Sequence, residues 1–167
     1  MAMLIRTYVG QPYYMELRTN QQLGYIVASG AFSRDDYSAI YCIVQSDGYP
    51  PDEVERRSIE FLSNAINDLD NLSNEELNIY KNAVRETINE KSTSISQETD
   101  RRHVLAHKFN NNFNRDNETL DALNEIKIED IRETLSFTLN QETQRNITIL
   151  LYANQIEIPL DLSLIHI

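Results

Sequence analysis

Two groups of side chains in this sequence have the types and spacing to do chemistry. The first is "HVLAH", which sets His103 and His107 four residues apart and so on one face of any helix that carries them. That is the spacing with which a helix grips zinc, but a working peptidase site also needs a carboxylate base. The base stands at the second position of H-E-x-x-H or the fourth of H-x-x-E-H, with a third ligand downstream. Here those positions hold Val104 and Ala106, and the only other histidine is His166 in the last six residues. The reading left to the pair is structural: histidines that cap or flank a surface helix beside Arg101 and Arg102.

The second group is "LRTNQQLGYIV", where Arg18 and Tyr25 lie on either side of a change from helical to strand rhythm. A guanidinium offers a fixed fork of donors and a phenol offers one more, a combination suited to holding a peptide carbonyl or an oxyanion. Gly24 would let another backbone come close. The plainer account is that Arg18 meets the negative end of a helix dipole while Tyr25 begins a strand with its ring half buried. Nothing else competes. There is no G-x-S-x-G, P-loop or dinucleotide fingerprint, and only four glycines from which to build a phosphate cradle. Glu75-Glu76, Asp35-Asp36 and Glu129-Asp130 read as helix starts and turns rather than acid–base pairs.

The elements that must position these groups fit one domain, since 167 residues with 41% hydrophobic content supply one ordinary core. A net charge of −11, from 26 acidic against 15 basic side chains, argues against a nucleic-acid or anionic-membrane surface. Cys42, alone in the chain, excludes an internal disulfide and reads as a small buried hydrophobe. No apolar run is long enough to cross a bilayer, and the chain is expected to be soluble, periplasmic or cytoplasmic. Both ends look cut. The first residues are already in helical rhythm without a polar cap, and "LSLIHI", residues 162–167, reads as a sequencing-adapter scar.

Leu4, Tyr8, Tyr14 and Leu17 mark a first helix. Gly24 to Phe32 and Tyr37 to Gln45 are β-rich runs joined by "SRDD", an antiparallel hairpin, the second apolar enough on both faces for an interior strand. Asp52 opens a helix carried by Val54, Ser58, Phe61, Leu62, Ala65, Ile66 and Leu69. Ser73 and Glu76 have the spacing of a capping box for a helix through Leu77, Tyr80, Val84 and Ile88. Further helices are expected from Glu98 to Phe109, briefly at Leu120 to Asn124, and through Ile128, Ile131, Leu135 and Leu139. "NNNFNRDN" breaks the pattern between the first two of these, and Asn146 to Tyr152 is expected as a last strand. This order points to α+β, a largely antiparallel sheet covered by helices on one face.

"QPYYMELRTNQQLGYIVASG" resembles the signature of the fourth, C-terminal domain of the pitrilysin and insulin-degrading enzyme family, zinc peptidases of the inverzincin type. In that family a helix ending in Phe/Tyr-x-x-Leu-Arg-Thr is followed by Gln-Leu-Gly-Tyr and a strand. The likeness continues through "YCIVQSDGYPPDEVERRSIEFLSNAI", "LSNEELNIYKNAVRETINEK", "FNRDN" and "IKIEDIRETLSFTL". It implies a metallohydrolase-type domain without its amino-terminal strand, a truncated fragment of a bacterial member. The expected organisation is residues 1–155 as a partial, non-catalytic, substrate-clamping domain, 156–161 as a tail and 162–167 as the scar.

Catalysis in such enzymes belongs to the first domain, where H-x-x-E-H and a glutamate hold zinc, so this chain alone is expected to be inactive and to bind no metal. The resemblance carries over Arg18 and Tyr25 as the pair that the C-terminal half presents to the active cleft on closing. They would donate to the peptide carbonyl near the scissile bond. The implied partners are a peptide substrate and the N-terminal catalytic half of the same polypeptide; the alternative is a purely structural domain packing against that half. Two departures stand out. Lys91 is the only lysine near "EKSTSIS", against a polyanion site there, and Asn20 and Gln21 replace a charged Lys/Glu pair on what reads as an exposed turn.

Overall fold

Leu4, Ile5, Tyr8, Val9 and Tyr13 recur at three- and four-residue steps and are the buried face of helix α1, Ala2–Tyr14. The computed structural model describes residues 1–34, 37–140, 142–143 and 147–152. Tyr14, expected on the buried stripe, is exposed. Tyr13 takes that place because it continues the four-residue step from Val9 to Leu17, and its hydroxyl shares a 3.0 Å hydrogen bond with Ser58 Oγ. The helix runs through Pro12, whose missing N–H removes the donor for the Tyr8 carbonyl. Beyond it the ladder widens into a π-turn, Met15–Asn20, where Gln21 N donates to Glu16 O at 2.9 Å.

Strands β1, Ile26–Arg34, and β2, Tyr37–Gln45, pair antiparallel in the register Ile26 opposite Gln45 through Arg34 opposite Tyr37. Val27, Ile40, Cys42 and Val44 turn inward among the buried side chains of the helices. Ile26, Phe32, Tyr41 and Ile43 occupy the opposite, exposed face. Gly30 makes room there for Tyr41, whose ring would be 2.3 Å from any Cβ at position 30. On the covered face Gly10 of α1 stands next to Ser29. Helices on one face of an antiparallel sheet make the chain α+β, as expected.

Two strand expectations are corrected. Strand β2 is not interior: among the described residues it pairs only with β1. Nor is the expected last strand formed among the described residues, of which Asn146 is not one. Residues 147–152 carry no ladder, and Ile147, Ile149 and Leu151 are 86%, 78% and 82% exposed. Their alternation suits a pleated surface, but a strand exists only with a partner to complete its hydrogen bonds, and no described segment supplies one. Residues 153–155, the tail and the scar lie outside the described residues.

Helix α2, Pro51–Asp68, starts with proline at its first position and Asp52 and Glu53 in its first turn, which suits both the missing donor and the dipole. Helix α3, Asn74–Asn89, has the expected capping box: Glu76 N donates to Ser73 Oγ and Ser73 N to Glu76 Oε2. Helix α4, Ile95–Lys108, begins earlier than expected because Ser94 Oγ accepts from Gln97 N. Beyond its end the chain turns away at Asn110 and Asn111, both at positive φ, a conformation asparagine tolerates. Helix α5, Arg115–Glu125, is a full helix rather than a short piece, and α6 spans Ile128–Leu139.

The helices close one another's ends. Neither α2 nor α5 has a basic residue in its last turn. Arg132 of α6 donates to the Ile66 carbonyl at 3.1 Å, and the buried Lys81 of α3 donates to the Asn124 carbonyl at 2.8 Å. Leu4, Ile5, Leu69, Leu77, Val84, Leu123, Ile131 and Leu135 form the main core. Tyr13, Leu17, Leu23 and Val27 form a second cluster between α1, α2 and the hairpin. No helix among the described residues is long and apolar enough to cross a membrane.

Candidate functional site

Arg18 lies in the π-turn, and Tyr25 lies just before β1. The connection between them is anchored at both ends: Leu17 and Leu23 are fully buried, and Leu23 N donates to Leu17 O at 2.8 Å. Between them Gln22 adopts φ 51°, the left-handed stop of a helix without the usual glycine. For a residue with a Cβ this costs about 1–2 kcal/mol, a strain that persists only where the surroundings hold it.

Tyr25 is fastened through its backbone, its N–H donating to Gln45 O at 3.1 Å. Gly24 answers its expectation, the approaching backbone being that of Gln45 in the same chain. The Tyr25 side chain is left 57% exposed and Arg18 half-buried. Among the described residues neither the Arg18 guanidinium nor the Tyr25 hydroxyl has a hydrogen-bond or ion-pair partner. The turn thus places two uncommitted donor groups on either side of a tightly determined backbone.

The surrounding polar network was not legible as such in the sequence. Asn20 Nδ2 and Gln21 Nε2 donate to the two oxygens of Glu16 at 2.7 and 3.0 Å. These bonds, Gln21 first and then Asn20, hold the Glu16 carboxyl below its ordinary range. Gln21 Oε1 accepts from Arg57 Nη1 at 3.3 Å, and Arg57 Nε donates to Glu53 Oε1 at 2.7 Å. The Arg57 guanidinium also lies 4.6 Å from the Tyr49 ring centroid, within cation–π range. Hydrogen bonds from Arg56 and then Arg57 hold the Glu53 carboxyl down at about 2. The amides at 20 and 21, which stand in for a charged pair on what read as an exposed turn, are therefore both tied to a carboxylate. Only the four- and five-residue spacing from Glu16 signalled that in the sequence.

His103 and His107 do share a face of α4, both exposed, with ring centroids 4.2 Å apart. Zinc, which the family resemblance implies for the whole enzyme, does not fit the residues here. Among the described residues no three His, Cys, Asp or Glu side chains gather, short of the four ligands of a structural site or the three of a catalytic one.

A helix, a hairpin and helices on one sheet face, with Arg18 and Tyr25 at the first helix-to-strand turn, make up the described domain. Residues 4–103 match the family described as "PQQ synthase PqqF-like, C-terminal lobe domain 4". The chain belongs to that family of C-terminal lobe domains. Among solved structures it is similar to pitrilysin, with a TM-score of 0.73 and 18% identity over 81% of this chain, a likeness in fold. It spans 14% of the pitrilysin chain. No match is found among curated protein sequences.

Proposed function

We propose that this chain is the non-catalytic C-terminal domain of a zinc metalloendopeptidase, which closes over the active chamber and helps hold the peptide substrate. Arg18 and Tyr25 donate hydrogen bonds near the scissile carbonyl; zinc, water and base belong to the N-terminal catalytic half of the same polypeptide. What supports this reading is that two donor side chains without a partner among the described residues flank a turn fixed by buried Leu17 and Leu23. Donors already held in place cost no reorganisation as charge develops on a carbonyl oxygen, and in a closed, water-poor chamber they act at low dielectric.

The test is made in the full-length polypeptide. Arg18→Ala and Tyr25→Phe should each lower kcat/KM for a quenched peptide on the order of 100-fold, with zinc content unchanged. Unchanged kinetics in both variants would overturn the reading and leave a structural domain that packs against the catalytic half.

A further inference from the structure

We propose that Gln21 is a positioning residue for the Arg18–Tyr25 turn, the adaptor that fastens it to helix α2; this rests on the reading of Arg18 and Tyr25 as substrate clamps. The argument starts from what the turn lacks. Its left-handed position is Gln22 and not glycine, so its backbone needs holding from outside. The buried leucines fix its apolar side. On the polar side the half-buried Gln21 is, among the described residues, the one residue of the turn whose side chain hydrogen-bonds to α2, through the 3.3 Å contact with Arg57.

The chemistry at position 21 is specific. A carboxylate, Glu16, stands at one end of the side chain and a guanidinium, Arg57, at the other. The first accepts only and the second donates only. A carboxamide carries one acceptor and one donor group, so it satisfies both at once. Arg57 is in turn held by Glu53 and by the Tyr49 ring, so the clasp ends on a braced partner rather than on a free surface arginine. Glu16 is the residue two before Arg18, inside the same π-turn. The chain Glu16, Gln21, Arg57, Glu53 therefore sets the π-turn that carries Arg18 against α2.

The test compares Gln21→Met, which keeps length and removes both hydrogen bonds, with Arg18→Ala and the double variant in the full-length polypeptide. Gln21 belongs to neither hydrophobic cluster, so the core is untouched. Gln21→Met should lower kcat about tenfold with KM nearly unchanged, and should add nothing on the Arg18→Ala background. In the 167-residue chain the Glu16 carboxyl, followed by carbon-detected titration, should rise toward its ordinary range. A full effect of Gln21→Met on the Arg18→Ala background, or an unmoved Glu16 titration, overturns the proposal. So does an unchanged kcat in Gln21→Met while Arg18→Ala is impaired, which leaves the clamp reading standing. Unchanged kinetics in Arg18→Ala and Tyr25→Phe as well brings down that reading too.

Discussion

Gly24 lies so close to Gln45 that a Cβ on it would stand 2.3 Å from the Gln45 carbonyl oxygen and 2.9 Å from the carbonyl carbon. The obstacle is backbone, which cannot swing aside as a side chain can, and the same carbonyl accepts the Tyr25 N–H. Gly24→Ala should therefore destabilise the fold by about 1–3 kcal/mol, the usual cost of overpacking, read from urea denaturation midpoints. Gly48, with open space around it, is the control, and Gly48→Ala should stay within about 0.5 kcal/mol.

Leu23 carries the same turn from the apolar side. Leu23→Ala empties a fully buried site and should cost about 2–5 kcal/mol by equilibrium unfolding. Ile79 of α3 is 65% exposed, and Ile79→Ala should change stability by no more than about 0.5 kcal/mol. Equal effects of the two substitutions would contradict the packing described.

Glu53 gives the α2 end of the site a pH signature. Its carboxyl is depressed from the usual 4.5 to about 2 by Arg56 and Arg57. A depressed carboxyl stabilises the fold above its unfolded value and loses that contribution as protons arrive. Unfolding midpoints should fall between pH 4.5 and about 2, and Glu53→Gln should flatten that part of the profile while leaving other carboxylates to titrate.

Cys42 faces the cluster around Tyr13, and burial pushes its thiol from 9.0 up to about 11. At neutral pH its thiolate should be on the order of 100-fold scarcer than in the unfolded chain. Alkylation followed by mass spectrometry should be correspondingly slow in the native chain and become fast in urea. Fast native alkylation would mean that the hairpin does not close over α1.

Local rules made much of this fold readable from the chain. Strand β2 from Tyr37 to Gln45, the Ser73–Glu76 box and the helical beat from Val54 to Leu69 depend on neighbours a few residues away. What escaped was set at a distance or by a break in period. Tyr13 replaces Tyr14 on the buried face because the four-residue step from Val9 runs straight to Leu17. Residues 147–152 alternate correctly yet form no strand with any described segment, since alternation specifies a face and not a partner.

The site divides the same way. Arg18 and Tyr25 stood out through residue chemistry and family resemblance, and Gly24 through the need for close backbone approach. Arg57, 36 residues beyond Gln21, had nothing local to mark it. The asparagine and glutamine at 20 and 21 read only as part of an exposed turn because an amide advertises no charge, although each donates to Glu16.

The exchange of helix ends has a consequence for how the domain assembles. The last turn of α2 borrows a cation from α6, and that of α5 borrows one from α3, so each C-terminus gains part of its closure only when its neighbour docks. Excised as peptides, α2 and α5 should fray from their carboxyl ends. In the intact chain those same amides should exchange with solvent only when the helices separate. Cooperative unfolding is thereby wired into two lysine- and arginine-to-carbonyl bonds, which make the integrity of each helix a report on the presence of another.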